Sequence, residues 1–210
     1  MAPPHIKVAA FNCTLKSGTN KESSSTEVLL GQMMREFARL GANGKIVRAV
    51  DHNIKPGVLA DEGKGDAWPK LRKWLLEADI LMIGTPIWLG QPSSVAKRVI
   101  ERMDAFIDEK DSRGRMPSYG KVAIACVVGN EDGAHHSGAE IISALCEVGF
   151  TIPAGGVTYW VGEAMGEKEY KDFSKPPRVV AQWNRMLVSS TVRLASLLKR
   201  KGYPGIKGGR

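Results

Sequence analysis

Three short stretches of this 210-residue chain concentrate the side chains that hold ligands. The first, residues 12 to 25, reads Asn-Cys-Thr-Leu-Lys-Ser-Gly-Thr-Asn-Lys-Glu-Ser-Ser-Ser and delivers hydroxyls and lysines to the start of a helix expected near Thr26. A helix start offers free N–H groups and the positive end of the macrodipole. A phosphate is therefore a natural guest, with a solvated, serine-capped loop as the plainer alternative. The second stretch, residues 85 to 92, is Thr-Pro-Ile-Trp-Leu-Gly-Gln-Pro and sets Trp88 between aliphatic neighbours where a polar turn would be ordinary. Such a segment suits the wall of a flat ligand, and Gly90 would let its backbone come close; the alternative is that Trp88 packs in the core or at a subunit interface. The third, residues 129 to 136, is Gly-Asn-Glu-Asp-Gly-Ala-His-His. Its glycines can turn N–H groups toward a flat ligand and its histidines can bond a ligand edge, while capping a helix that starts at Ser137 is the competing role.

Several chemistries are disfavoured by the same residues. Neighbouring His135 and His136 lack further ligands at metal spacing, so no metal is expected. Gly41-Ala42-Asn43-Gly44-Lys45-Ile46 has neither the spacing nor the Ser/Thr of a nucleotide-binding P-loop, and no GxGxxG follows a strand. There is no GxSxG elbow, and Cys13 has no evident partner base. Cys13, Cys126 and Cys146 form no CxxC pair, which argues against a disulfide framework and against a metal or iron-sulfur cluster. The chemistry is expected to belong to a bound cofactor.

The elements that must position these stretches alternate along the chain. Ile6 to Phe11, Lys45 to Val50, Ile80 to Gly84, Lys121 to Val128 and Val157 to Val161 read as strands, the third and fourth almost wholly apolar, as in a sheet covered on both faces. Between and after them, Thr26 to Leu40, Asp66 to Glu77, Pro92 to Asp108, Ser137 to Val148 and Pro177 to Lys201 carry apolar residues at helical spacing. In the first of these, Val28, Leu29, Met33, Phe37 and Leu40 share a stripe, Ser25 is the expected N-cap and Gly41 the stop. This predicts one α/β domain over 1–210. It is a doubly wound, five-stranded parallel sheet of order 2-1-3-4-5, with helices on both faces, a ligand-binding core at 6–162, a final helix at about 177–201 and a basic tail at 202–210. Ligands of such sheets bind beyond the carboxyl ends of the strands, where the three stretches fall.

Hydrophobic residues at 43% and charged residues at 25% fit a globular protein. The net charge of +8 favours anions, but the basic residues are dispersed, so phosphorylated small molecules are a better match than nucleic acid. No apolar run approaches membrane-spanning length and the N-terminus lacks a signal pattern; a soluble cytoplasmic protein with no membrane partner is expected.

With these motifs the chain resembles the NAD(P)H-dependent FMN reductases of the flavodoxin-like superfamily. Asn12-Cys13-Thr14-Leu15-Lys16 followed by Ser25-Thr26-Glu27 is similar to the family's phosphate loop, with Thr14, Lys16, Ser25 and Thr26 at the phosphate-binding positions; the loop is longer than usual and has Thr14 where Ser is commoner. Pro86, Ile87, Trp88, Leu89 and Gly90 resemble the loop along the isoalloxazine ring, with Trp88 where Tyr is commoner. Gly129, Asn130, Glu131, Asp132, Gly133, His135 and His136 resemble the third flavin loop. The resemblance implies bound FMN and NADPH or NADH as reductant. It also implies a flavin, quinone or similar small-molecule electron acceptor, and assembly as a homodimer or homotetramer. On this reading backbone N–H groups of residues 87 to 90 and 129 to 134 stabilise charge on the reduced ring, and His135 or His136 bonds the ring edge or the acceptor. The alternatives are a flavodoxin-like electron carrier without its own substrate, usually acidic where this chain is basic, and a flavin-free member of the fold used for protein interaction.

Overall fold

The computed structural model describes residues 5–20, 22–164 and 166–206. Its sheet is built from β1 (Lys7–Asn12), β2 (Asn43–Arg48), β3 (Ile80–Trp88), β5 (Val122–Gly129) and β6 (Val157–Val161), with a two-residue strand β4 (Gln91–Pro92) folded back on β3. The order is β2-β1-β3-β5-β6 and every neighbouring pair in it is parallel. Apart from β4 this is the expected flavodoxin-like order, and the direction of winding reverses between β1 and β3.

β3 and β5 are almost wholly buried because helices cover both faces of the sheet. On one face lie α1 (Ser25–Arg39) and α5 (Arg178–Arg200), where Leu29, Leu30, Met33 and Phe37 join Val8, Ala10, Met82 and Ile124 with Leu187 and Val188. On the other lie α2 (Trp68–Leu76), α3 (Ser94–Glu101) and α4 (Ala134–Glu147), whose Trp68, Leu75, Val99, Ile141 and Leu145 join Phe11, Leu81, Ile83 and Ala125. Burying a Leu, Met or Phe side chain contributes about 1.5–3 kcal/mol. The α1 stripe therefore fixes how that helix rolls, and with it where its N-terminus points. Gly41, at φ +76, ends α1 as its sequence position suggests.

Boundaries depart from expectation in four places. β2 runs two residues early, at Asn43–Arg48 where 45–50 was expected, and Ala49–Asp51 form a 3₁₀ turn. β3 continues past Gly84 because pairing continues: Pro86 lies opposite Val128 of β5, and Ile87 opposite Pro92 of β4. Residues 85 to 91 are thus strand and turn, not an open loop. The third helix stops at Glu101 and resumes only as a 3₁₀ turn at Asp104–Ile107. At the break sits Arg102, fully buried, whose guanidinium donates to Lys55 O (2.9 Å) and Leu59 O (2.8 Å) and pairs with Asp66 (2.8 Å). One side chain thereby holds the segment from Ile54 to Asp66, which forms no helix or strand. The fourth helix starts at Ala134, ahead of the expected Ser137, so His135 and His136 belong to its first turn.

The final helix matches its expected span closely. Of the basic tail, residues 207–210 lie outside the described residues, as does Lys21 of the first stretch. No helix among the described residues is long and apolar enough to cross a membrane.

Candidate functional site

At the end of β1 the chain turns through a loop fastened from outside. Asn12 Oδ1 accepts from Thr14 N (3.2 Å) and Thr14 Oγ1 accepts from Lys16 N (3.3 Å). Asp51, just beyond β2, accepts from Ser17 Oγ (2.8 Å) and Gly18 N (2.9 Å), and a Cβ on Gly18 would come within 2.6 Å of that carboxylate. Arg48 donates to Lys16 O and Glu22 O (3.3 Å each) and pairs with Glu27. Desolvation opposes ionisation of Asp51, but the Gly18 N–H, the Ser17 hydroxyl and Arg48 together outweigh it and hold the carboxyl below its ordinary value.

The helix cap is Ser24, not Ser25: Ser24 is extended (φ −119, ψ 124) and its hydroxyl accepts from Glu27 N at 3.2 Å. Ser25 is thereby free to bond elsewhere. Its hydroxyl donates to Glu169 Oε2 (3.2 Å) and accepts from Lys171 N (3.2 Å).

The opposite wall is a β3–β4 hairpin. Leu89 and Gly90 both have positive φ (52 and 74), the geometry of a two-residue primed turn, which leaves Trp88 49% and Leu89 90% exposed. Trp88 therefore stands at the rim and not in the core. Leu89 N donates to Glu131 Oε1 (2.9 Å), which ties the hairpin to the loop after β5. Gly133, at φ +117, lies so close to Gly90 that a Cβ there would meet the Gly90 carbonyl oxygen at 2.5 Å. Ser93 knits the floor together: its N–H donates to Thr85 Oγ1 (3.0 Å) and its hydroxyl to Cys13 O (2.6 Å). Burial pushes the Cys13 thiol up, so it is no nucleophile.

Between these walls opens a cavity of about 400 Å³, within the usual range for small-molecule sites. Of the residues singled out from sequence, it brings together Thr14, Lys16, Ser25, Thr26, Pro86, Ile87, Trp88, Leu89, Gly129, Asn130 and Glu131. Gly90, Asp132, Gly133, His135 and His136 do not line it. Gly90 and Gly133 shape its wall from behind, and Asp132 Oδ1 accepts from Gly133 N (2.7 Å). His135 packs edge-on to Tyr159 (5.1 Å between centroids) over a neighbouring groove, and His136 Nε2 contacts Gln91 Oε1 (2.9 Å) and Glu140 Oε1 (2.8 Å). The N–H groups of Leu89 and Gly133, two of those expected to face the ring, are engaged within the protein.

The lining also includes Ser24, Val128, Trp160, Glu169 and Tyr170, which sequence reasoning missed. Tyr170 is buried against Trp160 and Phe173; burial pushes its hydroxyl up to about 12, so it stays protonated and donates to Gln32. No local pattern announces these residues; the aromatic spacing of Trp160, Tyr170 and Phe173 is the one signal available.

Do these residues fit a phosphorylated flavin? At the α1 end an anion is already seated: Glu169 Oε2 lies 3.8 Å from Lys16 Nζ, 3.1 Å from Lys171 Nζ and 3.2 Å from Ser25 Oγ. A phosphate oxygen asks for the same donors. At the far end Pro86, Ile87, Trp88, Leu89 and Val128 offer an apolar wall for a flat ring. The donor set fits a phosphate at one end and an aromatic system at the other.

Comparison with known proteins agrees in kind. The family model described as NADPH-dependent FMN reductase matches residues 6–165. The 8-demethyl-8-aminoriboflavin-5'-phosphate synthase of Streptomyces davaonensis is 28% identical over 208 residues, covering 94% of this chain and 80% of that protein. The divalent metal cation transporter MntH of Mycobacterium bovis is 36% identical over 178 residues, covering 81% of this chain; the chain spans about a quarter, 26%, of that relative's length. Among solved structures, that of RosB with bound intermediate 8-demethyl-8-formylriboflavin-5'-phosphate superimposes with a TM-score of 0.85 at 29% identity, covering 94% of this chain and 82% of that one.

Proposed function

Because the chain belongs to the NADPH-dependent FMN reductase family, we propose that it is an FMN-dependent NAD(P)H oxidoreductase that passes reducing equivalents to a flavin, quinone or similar small acceptor. The observation that carries this reading is the single cavity joining an anion seat at the α1 N-terminus to the apolar β3–β4 hairpin. Lys16, Ser25 and Thr26 would hold the phosphate, and Pro86 to Leu89 with Val128 would flank the ring. When bound, FMN supplies hydride acceptance and release.

The protein's own share is to orient and to exclude. The Glu131 contact fixes the hairpin, and with it Trp88, so that a nicotinamide or an acceptor approaches the ring against a wall of set shape. Trp160 and Tyr170 close the side nearest β6 and keep water from that edge. His135 and His136, outside the cavity lining, are left no direct part. All these groups come from one sheet and the segments that follow its strands, so a single domain suffices. The exposed apolar residues Tyr159, Val161, Val179 and Trp183 along the β6 edge support a homodimer or homotetramer. The same reading keeps the reaction in the cytoplasm.

Anaerobic titration tests it. NADH or NADPH should bleach protein-bound FMN, and a quinone should restore the colour; failure of both nucleotides at millimolar concentration overturns it. A second reading has one specific support, the 28% identity to a synthase named for a modified flavin phosphate. On that reading FMN is the substrate, and mass spectrometry of the flavin after aerobic incubation with an amine donor would find its mass changed.

A further inference from the structure

The segment after β6 returns to the α1 N-terminus and is anchored there by Tyr170, buried against Trp160 and Phe173 with its hydroxyl on Gln32 of α1. On either side of this anchor stand two opposite charges, Glu169 and Lys171. Their side chains are partly exposed, so each can turn about its own bonds while Tyr170 stays in place. One oxygen, Glu169 Oε2, gathers Lys16 Nζ, Lys171 Nζ and Ser25 Oγ. A flavin phosphate entering the cavity needs those donors and has the same sign of charge as the carboxylate that occupies them. Both cannot keep the seat, since like charges at contact distance disfavour each other.

Resting on the phosphate assignment above, we propose that Lys171 is a second cationic ligand for the flavin phosphate and that Glu169 is a built-in competitor, whose carboxylate yields these donors when a phosphorylated flavin binds. With Glu169 in place the two lysines are half neutralised. With it turned away, their two charges face a phosphate group of about −1.5 to −2 at pH 7. The pair therefore sets how strongly the protein prefers FMN to riboflavin and how readily the bound flavin leaves. Glu169 holds the Lys171 ammonium group above its ordinary pKa, so Lys171 stays charged throughout the neutral range.

The test compares FMN with riboflavin, which differs by the phosphate alone, using quenching of flavin fluorescence by the full-length protein. E169Q should tighten FMN binding about tenfold and K171M should weaken it about tenfold, values expected of charge-assisted contacts partly screened by solvent. Riboflavin affinity should stay within about twofold in both variants, since it lacks the charge these residues read. If wild type prefers FMN but E169Q leaves that preference unchanged or lowers it, the competing role of Glu169 is overturned. Joint loss of FMN and riboflavin binding in K171M would mean that Lys171 props up the fold, and would overturn its assignment as a ligand. Equal affinity of wild type for the two flavins would overturn the phosphate assignment itself.

Discussion

At the α1 end of the cavity, Ser25, Lys16 and Lys171 gather round a carboxylate lent by a distant segment, and Arg48 and Asp51 fasten the loop from a neighbouring strand. At the hairpin end, Leu89, Gly90 and Gly133 are held by positive φ and by backbone pressed on backbone. The first arrangement consists of half-exposed polar contacts, each weak and each able to change partner. The second consists of steric exclusion, which has no alternative partner and yields little. On the proposed reading, affinity for a flavin phosphate can therefore be tuned one side chain at a time, whereas the shape offered to the ring is nearly all-or-none.

The largest effect is expected at the stiff end. Gly133→Val adds a side chain where a Cβ already meets Gly90 atoms at 2.5 to 2.8 Å, in a φ of +117 that other residues rarely adopt. Strain of about 1–3 kcal/mol plus displacement of the hairpin should lower FMN and riboflavin affinity alike by roughly thirtyfold to a hundredfold. Far-UV circular dichroism should be unchanged, since the residue lies beyond the strand end. Equal binding in this variant would mean that the hairpin does not flank the ring.

A smaller, selective effect is expected at the polar end. Lys16→Met should weaken FMN roughly fivefold to tenfold while sparing riboflavin, because an ammonium this exposed is partly screened. Loss of both flavins together would erase the contrast between the ends.

The smallest effect concerns the buttress. With its folded pKa depressed below the ordinary 3.8, Asp51 contributes stability that is present above that value and lost as pH falls through the lower folded one. The side chain is exposed, so the contribution is below about 1 kcal/mol, or a few degrees in Tm. The gap in Tm between wild type and Asp51→Asn should be steady above about pH 5 and close below it; a gap that widens on acidification would contradict the assigned contacts.

The strand-helix alternation, the sheet order and the placing of the three candidate stretches at strand ends were legible in the sequence, because burial on both faces leaves long apolar runs and crossovers leave helical stripes. Local boundaries were not. Ser24 and Ser25 are equivalent as text, and only the φ/ψ of the chain selects the cap. Gly133 read as a ligand-contacting glycine, yet its left-handed turn starts α4 early and carries His135 and His136 away from the cavity. Glu169, Tyr170 and Lys171 meet α1 from 138 to 146 residues away, beyond the reach of any local pattern. What one sequence conceals at the polar end is thus the share of this distant segment, whereas Thr14, Lys16, Ser25 and Thr26 were legible and line the cavity.

Arg102 bears on how the chain survives proteases. Segments without helix or strand are where nicking concentrates, and the stretch from Ile54 to Asp66 is such a segment, but two of its carbonyls and the Asp66 carboxylate converge on that single guanidinium. It should therefore resist cleavage along its whole length or give way along its whole length, as one cooperative unit. A cut there would report that a side chain buried behind α3 had let go, while the cavity at the strand ends stayed intact.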